Sequence, residues 1–194
     1  MKTPQSVCVY CGSSSRVSDV YKQAAHTLGA GLAERGIQLV YGGGRVGLMG
    51  IVADAALAGG GQVVGIIPEH IQVKEVEHTG LTELHVVDSM HTRKRMMVDR
   101  SDAFVVLPGG LGTLDEAFEI LTWKQLALHD KPVVVVDVDG YWQPFEALID
   151  HMIAAGFCQP GHKRLYTTVA SIDAVFPALA AQPEPVIAPE TKWL

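Results

Sequence analysis

Cysteine is scarce, with three residues in 194. No secretory segment precedes the first strand-like run, so the scarcity points to a reducing cytoplasm rather than a disulfide scaffold. No apolar run approaches the ~20 residues of a membrane span, and a membrane is not an expected partner. Positive charge is short as well. Fifteen lysines and arginines stand against 21 acids, a formal balance of −6, which argues against general nucleic-acid binding. No glycine turn carries the G-K-[ST] of a nucleotide triphosphatase. Cys8 and Cys11 form C-x-x-C, yet no second pair and no H-E-x-x-H accompanies them. Their odd spacing along a strand sends them to opposite faces, so no metal or redox role is expected. The three tryptophans read as packing residues and the scattered histidines as surface or core groups.

Short apolar runs alternate with segments of helical period. Strands are expected at 6–10, 37–41, 62–67, 84–87, 103–107, 132–136 and 166–169. Helices are expected near 19–35, 48–58, 88–100, 113–129, 144–155 and 171–180. Residues 69–80 are polar and show neither period. Such alternation implies an α/β fold, a doubly wound, mainly parallel sheet with helices on both faces, in a single domain. That domain spans residues 1–181. The tail, 182–194, holds Pro183, Pro185 and Pro189 and is expected to be extended or disordered.

Ligands of such sheets bind beyond the carboxyl ends of the strands, and there the glycines gather. Gly42, Gly44 and Gly47 satisfy G-x-G-x-x-G after the second strand, with Glu69 where an acid could meet a ribose. A dinucleotide fingerprint normally follows the first strand, and tight packing accounts for the same glycines. Both readings stay open. A second turn, Pro108-Gly109-Gly110-Leu111-Gly112-Thr113-Leu114-Asp115-Glu116, joins the apolar run 103–107 to a helix. Glycine admits close approach, and a helix N-terminus offers unpaired N–H groups to an anion. The turn suits a phosphorylated ligand with an acid beside it. Thr113 and Glu116 also form T-x-x-E, a capping box that would explain Glu116 without chemistry. Asp115 and Glu116 in a first turn would repel a phosphate, so the functional reading needs a cation. Arg93, Lys94 and Arg95 supply one, at the start of a helix where positive charge opposes the macrodipole. An anion that offsets them is the expectation, and an arginine could grip it bidentately.

The stretches Gly42-Gly43-Gly44-Arg45-Val46-Gly47-Leu48-Met49-Gly50, Met90-His91-Thr92-Arg93-Lys94 and Pro108 to Glu116 resemble the motifs of the LOG family. The resemblance runs from about residue 6 to 180. Members are cytokinin riboside 5'-monophosphate phosphoribohydrolases, often mislabelled lysine decarboxylases. It implies a Rossmann-like fold, a homodimer or higher homo-oligomer, and no metal or other cofactor. The implied reaction is hydrolysis of the N-glycosidic bond of AMP or prenylated AMP, releasing the base and ribose 5-phosphate. By position, Arg93 and Glu116 resemble the catalytic pair. Lys94, Gly109, Gly110, Gly112, Thr113 and Thr122 resemble substrate contacts, with Leu111, Leu114 and Asp115 in the same turn and Gly43, Gly44 and Met49 in the earlier motif. Leu111 stands where many members carry an aromatic residue, and Asp115 where many carry glutamate. No motif lysine for a pyridoxal Schiff base is evident. The rival classes are a non-catalytic nucleotide or cofactor carrier, and an NAD-dependent dehydrogenase.

Overall fold

The computed structural model describes residues 3–71 and 78–181. Seven strands form one sheet in the order β4-β3-β2-β1-β5-β6-β7. They are β1 (Ser6–Tyr10), β2 (Gln38–Tyr41), β3 (Val63–Pro68), β4 (Glu83–Val87), β5 (Ala103–Val106), β6 (Val133–Val136) and β7 (Thr167–Val169). Every pairing is parallel. The α-helices that connect or follow them include α1 (Asp19–Glu34), α2 (Gly47–Ala58), α3 (Met90–Asp99), α4 (Leu111–Gln125), α5 (Gln143–Ala154) and α6 (Val175–Ala180).

The period-2 alternation of strands divides the core between two faces. Val7, Val9, Leu39, Tyr41, Val105 and Val134 pack with Leu28 and Leu32 of α1, Val52 and Ala56 of α2, and Val175 and Leu179 of α6. Cys8, Tyr10, Val40, Phe104, Val106 and Val135 turn the other way, against Met97 of α3, Ala117 and Ile120 of α4, and Phe145 and Ile149 of α5. Strands buried on both faces read as continuous apolar runs for this reason. Cys8 and Cys11 fall in opposite layers, as their spacing requires.

The chain builds β1 to β4 outward in one direction and then returns to place β5 against the free side of β1. The strand order therefore reverses between β1 and β5, and the loops leaving them diverge to opposite layers, opening a crevice at their carboxyl ends. Most element boundaries fall within two residues of the sequence reading. Two differ by more: α4 ends at Gln125 rather than near 129, and the last helix begins at Val175 rather than 171. The proline tail and residues 72–77 of the polar segment 69–80 lie outside the described residues.

Candidate active site

The two loops at the switch point hold each other. Gly12 N–H donates to the carbonyl of Pro108 at 3.0 Å, and Leu107 N–H to that of Tyr10 at 2.9 Å. A Cβ on Gly12 would lie 3.2 Å from the Cα of Gly109. The loop after β1 also fills the start of α2. Leu48 N–H donates to the Gly12 carbonyl at 2.9 Å. Gly47 has φ +66° and lies so close that an added Cβ would stand 2.7 Å from Ser14 N. The N-terminus that a pyrophosphate would need is thus occupied by protein. The fingerprint at Gly42, Gly44 and Gly47 is a packing device here, and the dinucleotide reading loses its site.

The start of α4 is open by contrast. The helix begins at Leu111, with Gly110 as its N-cap in extended conformation and no side-chain cap. Its first helical bond runs from Leu114 N–H to the Gly110 carbonyl, 3.0 Å, so the N–H groups of Leu111, Gly112 and Thr113 precede it and are left for a ligand. The capping-box expectation fails at this point. The helix starts three residues earlier than the T-x-x-E pattern implies, which places Thr113 at the third helical position and Glu116 at the sixth. No acid lies in the first turn; Asp115 follows in the second and is paired with Lys94, which offsets the expected repulsion of a phosphate. Thr113 instead packs its side chain on the backbone of Gly109, where an added Cβ would meet the Thr113 Cβ at 2.6 Å. Around Gly110 and Gly112 an added Cβ would find nothing within 4 Å, and neither residue has a positive φ. Among the described residues no packing contact requires glycine at either position.

Glu116 reaches toward β1 from α4, half-buried. Burial pushes the thiols of Cys8 and Cys11 far up in pKa, and the Glu116 carboxylate raises both further. It acts on the Tyr10 phenol as well, after the larger effect of burial and that of Cys8. Arg93 pulls Cys8 the opposite way. Both charges are thus felt at Cys8, the middle residue of β1. Arg93 comes from α3, whose start is capped by Ser89 accepting from Thr92 N–H at 3.1 Å. Its side chain is 4% exposed. Nη2 donates to the Gly42 carbonyl at 3.1 Å, and Nη1 approaches the Met90 sulfur at 3.8 Å. Met49 closes the same spot, its sulfur 3.4 Å from where a Cβ of Gly42 would stand.

The three neighbouring cations go three ways. Lys94 ion-pairs with Asp115 and Glu119, both at 3.1 Å, and its side chain is 12% exposed. Burial pulls its pKa down, but the hydrogen bonds to Glu119 and Asp115 and their charges outweigh that and raise it. Arg95 pairs with Asp99 one turn along, at 2.8 Å, and lies 5.8 Å over the Trp123 ring. An external anion is therefore not what offsets Arg95, a correction to the sequence expectation. Its partner is the acid one helical turn on, at i+4.

A family model described as "Possible lysine decarboxylase" matches residues 49–179. The chain is 45% identical to the cytokinin riboside 5'-monophosphate phosphoribohydrolase of Rhodococcoides fascians, over 91% of this chain and 90% of that protein. It is 43% identical to the Arabidopsis thaliana protein of the same name, LOG1, over 85% of this chain and 78% of the other. The chain belongs to the LOG family. Among solved structures, the molybdenum cofactor binding protein of Rippkaea orientalis aligns with TM-score 0.68 at 21% identity, over 91% of this chain and 95% of that one. The molybdenum cofactor carrier protein of Chlamydomonas reinhardtii aligns with TM-score 0.67 at 23% identity, over 91% and 98%. At such identity these two share the fold.

The LOG motifs meet on one edge of the sheet. Gly42 is buried beside Met49 and Arg93, with Gly43 and Gly44 buried next to it in the chain, while the turn 109–113 lies across β1 from them. Leu111 stands out at 86% exposed, at the first position of α4. Leu114 is half-buried and Asp115 exposed. Thr122 does not join the group within the chain. It lies exposed on α4, about 16 Å along the axis from Leu111. Sequence reasoning missed three contributors. Glu119 was legible in principle, since it follows Asp115 by four residues on a helix. His78 places its N–H on the Gly43 carbonyl at 3.2 Å and its ring on Asp54 at 2.9 Å, with no local signal to announce it. Tyr141 arrives from the loop after β6.

Proposed function

We propose that this LOG protein hydrolyses the N-glycosidic bond of AMP or prenylated AMP, releasing an adenine-type base and ribose 5-phosphate. The observation that carries the reading is the open N-terminus of α4, with Glu116 further along the same helix; Arg93 is the cation we assign beside it. The 5'-phosphate takes the N–H groups at 111–113, and Thr113 and the ammonium of Lys94 stand nearby. That places the ribose beyond the first turn, toward Glu116.

Breaking the bond sends its electron pair to N9 of the base and leaves positive charge on the ribose ring, an oxocarbenium-like state. The Glu116 carboxylate stabilises that charge and accepts a proton from water as the water oxygen bonds to C1′. The proton then reaches the departing base. Arg93, held by Gly42, keeps positive charge beside the carboxylate and so favours its ionised form. Glu116 and Arg93 are the catalytic pair in this reading, with Gly109, Gly110, Leu111, Gly112, Leu114, Asp115, Gly43, Gly44 and Met49 shaping the substrate cleft.

Leu126 and Leu128 are exposed just beyond α4, apolar surface that assembly as a homodimer would cover. Buried, unpaired Cys8 and Cys11 suit a reducing cytoplasm. Among the described residues no helix is long and apolar enough to cross a membrane.

Incubation with AMP and with isopentenyl AMP, followed by chromatography, tests the activity and ranks the substrates. Free base and ribose 5-phosphate in equal amounts are expected. Tight nucleotide binding without product would favour a carrier, and the hydrolase reading would be withdrawn.

A further inference from the structure

Three consecutive carbonyls in the turn 108–110 are each taken by a different part of the chain. Pro108 accepts from Gly12 of the β1 loop, and Gly110 accepts from Leu114 of α4 itself. Between them the Gly109 carbonyl accepts from the Tyr141 hydroxyl at 2.6 Å, thirty-two positions away. That bond is the shortest of the three.

Tyr141 is braced to make it. It follows a 3-10 turn, Val138–Gly140, in which Asp139 and Gly140 take positive φ of 54° and 74°. Tyr141 N–H returns to the Val138 carbonyl at 3.1 Å, and the next residue, Trp142, is buried and donates its N–H to the Asp137 carboxylate at 2.6 Å. The phenol ring stands edge-on to Tyr21 at 5.4 Å and to Trp142 at 4.9 Å. It remains 37% exposed, so the hydroxyl could have faced water. It is turned onto the backbone of the turn instead.

A peptide unit is planar and trans, so its C=O and the following N–H point in opposite directions. Fixing the Gly109 carbonyl fixes the direction of the Gly110 N–H. Glycine on both sides of this peptide leaves it without side-chain restraint, and an external clamp is what such a peptide lacks. We infer that Tyr141 is a positioning residue for phosphate binding: its hydroxyl orients the Gly109–Gly110 peptide so that the Gly110 N–H joins those of Leu111, Gly112 and Thr113 in facing the 5'-phosphate. The inference rests on the phosphate reading of this turn given above.

The test is Tyr141→Phe in the full chain, which removes one oxygen and keeps both ring contacts. Calorimetry measures ribose 5-phosphate and adenine binding separately, beside steady-state AMP hydrolysis and a thermal melt. Loss of one such bond predicts a rise of about 5–10-fold in the Kd for ribose 5-phosphate. The KM for AMP is expected to rise in parallel, with kcat within about twofold and adenine affinity unchanged. Wild-type affinity for ribose 5-phosphate in the variant would overturn the assignment. So would an equal loss for adenine, which marks general loosening. If the wild-type protein hydrolyses AMP and binds ribose 5-phosphate while the variant matches it, only the role of Tyr141 falls. If the wild type does neither, the phosphate reading falls and takes this role with it.

Discussion

The Nη2 of Arg93 donates to the carbonyl oxygen of Gly42 at 3.1 Å, joining α3 to the end of β2 across fifty-one positions of sequence. The contact explains why position 42 is glycine. A Cβ there would overlap the guanidinium and stand 3.1 Å from its central carbon.

Gly42→Ala should therefore act as a mutation of Arg93 without touching it. Displacing the guanidinium by roughly 1 Å is expected to lower kcat/KM for AMP by about 100-fold. Arg93→Lys should lower it by about tenfold or more, because an ammonium cannot span the same contacts. Steady-state kinetics of both variants and the double mutant check this. Effects that multiply rather than overlap would separate Gly42 from the arginine.

Glu116→Gln keeps the size of the side chain and removes its charge. Turnover is expected to fall by about 100-fold or more. Since α4 carries no side-chain cap, the melting temperature should barely move. A wild-type rate of base release would remove Glu116 from the chemistry, and a large loss of stability would restore a capping role.

Lys94 sits between two acids of α4. Lys94→Met leaves both carboxylates uncompensated close to the proposed phosphate, and the KM for AMP should rise about tenfold or more. Adding Asp115→Asn to Lys94→Met should recover part of the loss. A double mutant no better than the single would show that Lys94 contacts substrate directly and does more than neutralise its neighbours.

His129 gives the fold a pH dependence away from the site. Burial depresses its pKa. Its ring is held as the neutral tautomer, with Nε2–H on the Ile120 carbonyl at 2.8 Å and Nδ1 accepting from Lys131 N–H at 3.2 Å. A depressed pKa means that the unfolded chain binds the proton first, so stability is full above about pH 6.5, the ordinary histidine value. It declines as pH falls through the folded pKa. Urea midpoints for wild type and His129→Asn between about pH 7.5 and 5 should converge on acidification. Parallel curves would exclude His129 as the source.

The architecture was legible because both-face burial leaves strands as short apolar runs, and Ala103 to Val106 or Val133 to Val136 could hardly be anything else. The glycine turn before α4 was legible for the same reason: a buried strand, then glycines, then helical period. The start of α4 was misplaced because T-x-x-E satisfies a capping pattern, whereas Gly110 already ends the extended segment and the backbone coils from Leu111. Charge pairing was harder. Arg93, Lys94 and Arg95 look alike in sequence, yet only the angular step of α3 decides that one points into the crevice, one to α4 and one along its own helix. Tyr141 gave no signal at all, since its partner is a main-chain oxygen on the neighbouring strand's loop.

The three glycines of the turn differ in a way that a mutational survey would expose. Gly109 is hemmed in by Thr113, so any side chain there would lower protein abundance and activity together, and the position would be scored as structural. Gly110 and Gly112 have room on all sides. Alanine at either should leave expression untouched and extinguish turnover. An abundance screen alone would pass over the two positions where the proposed ligand would be felt most directly.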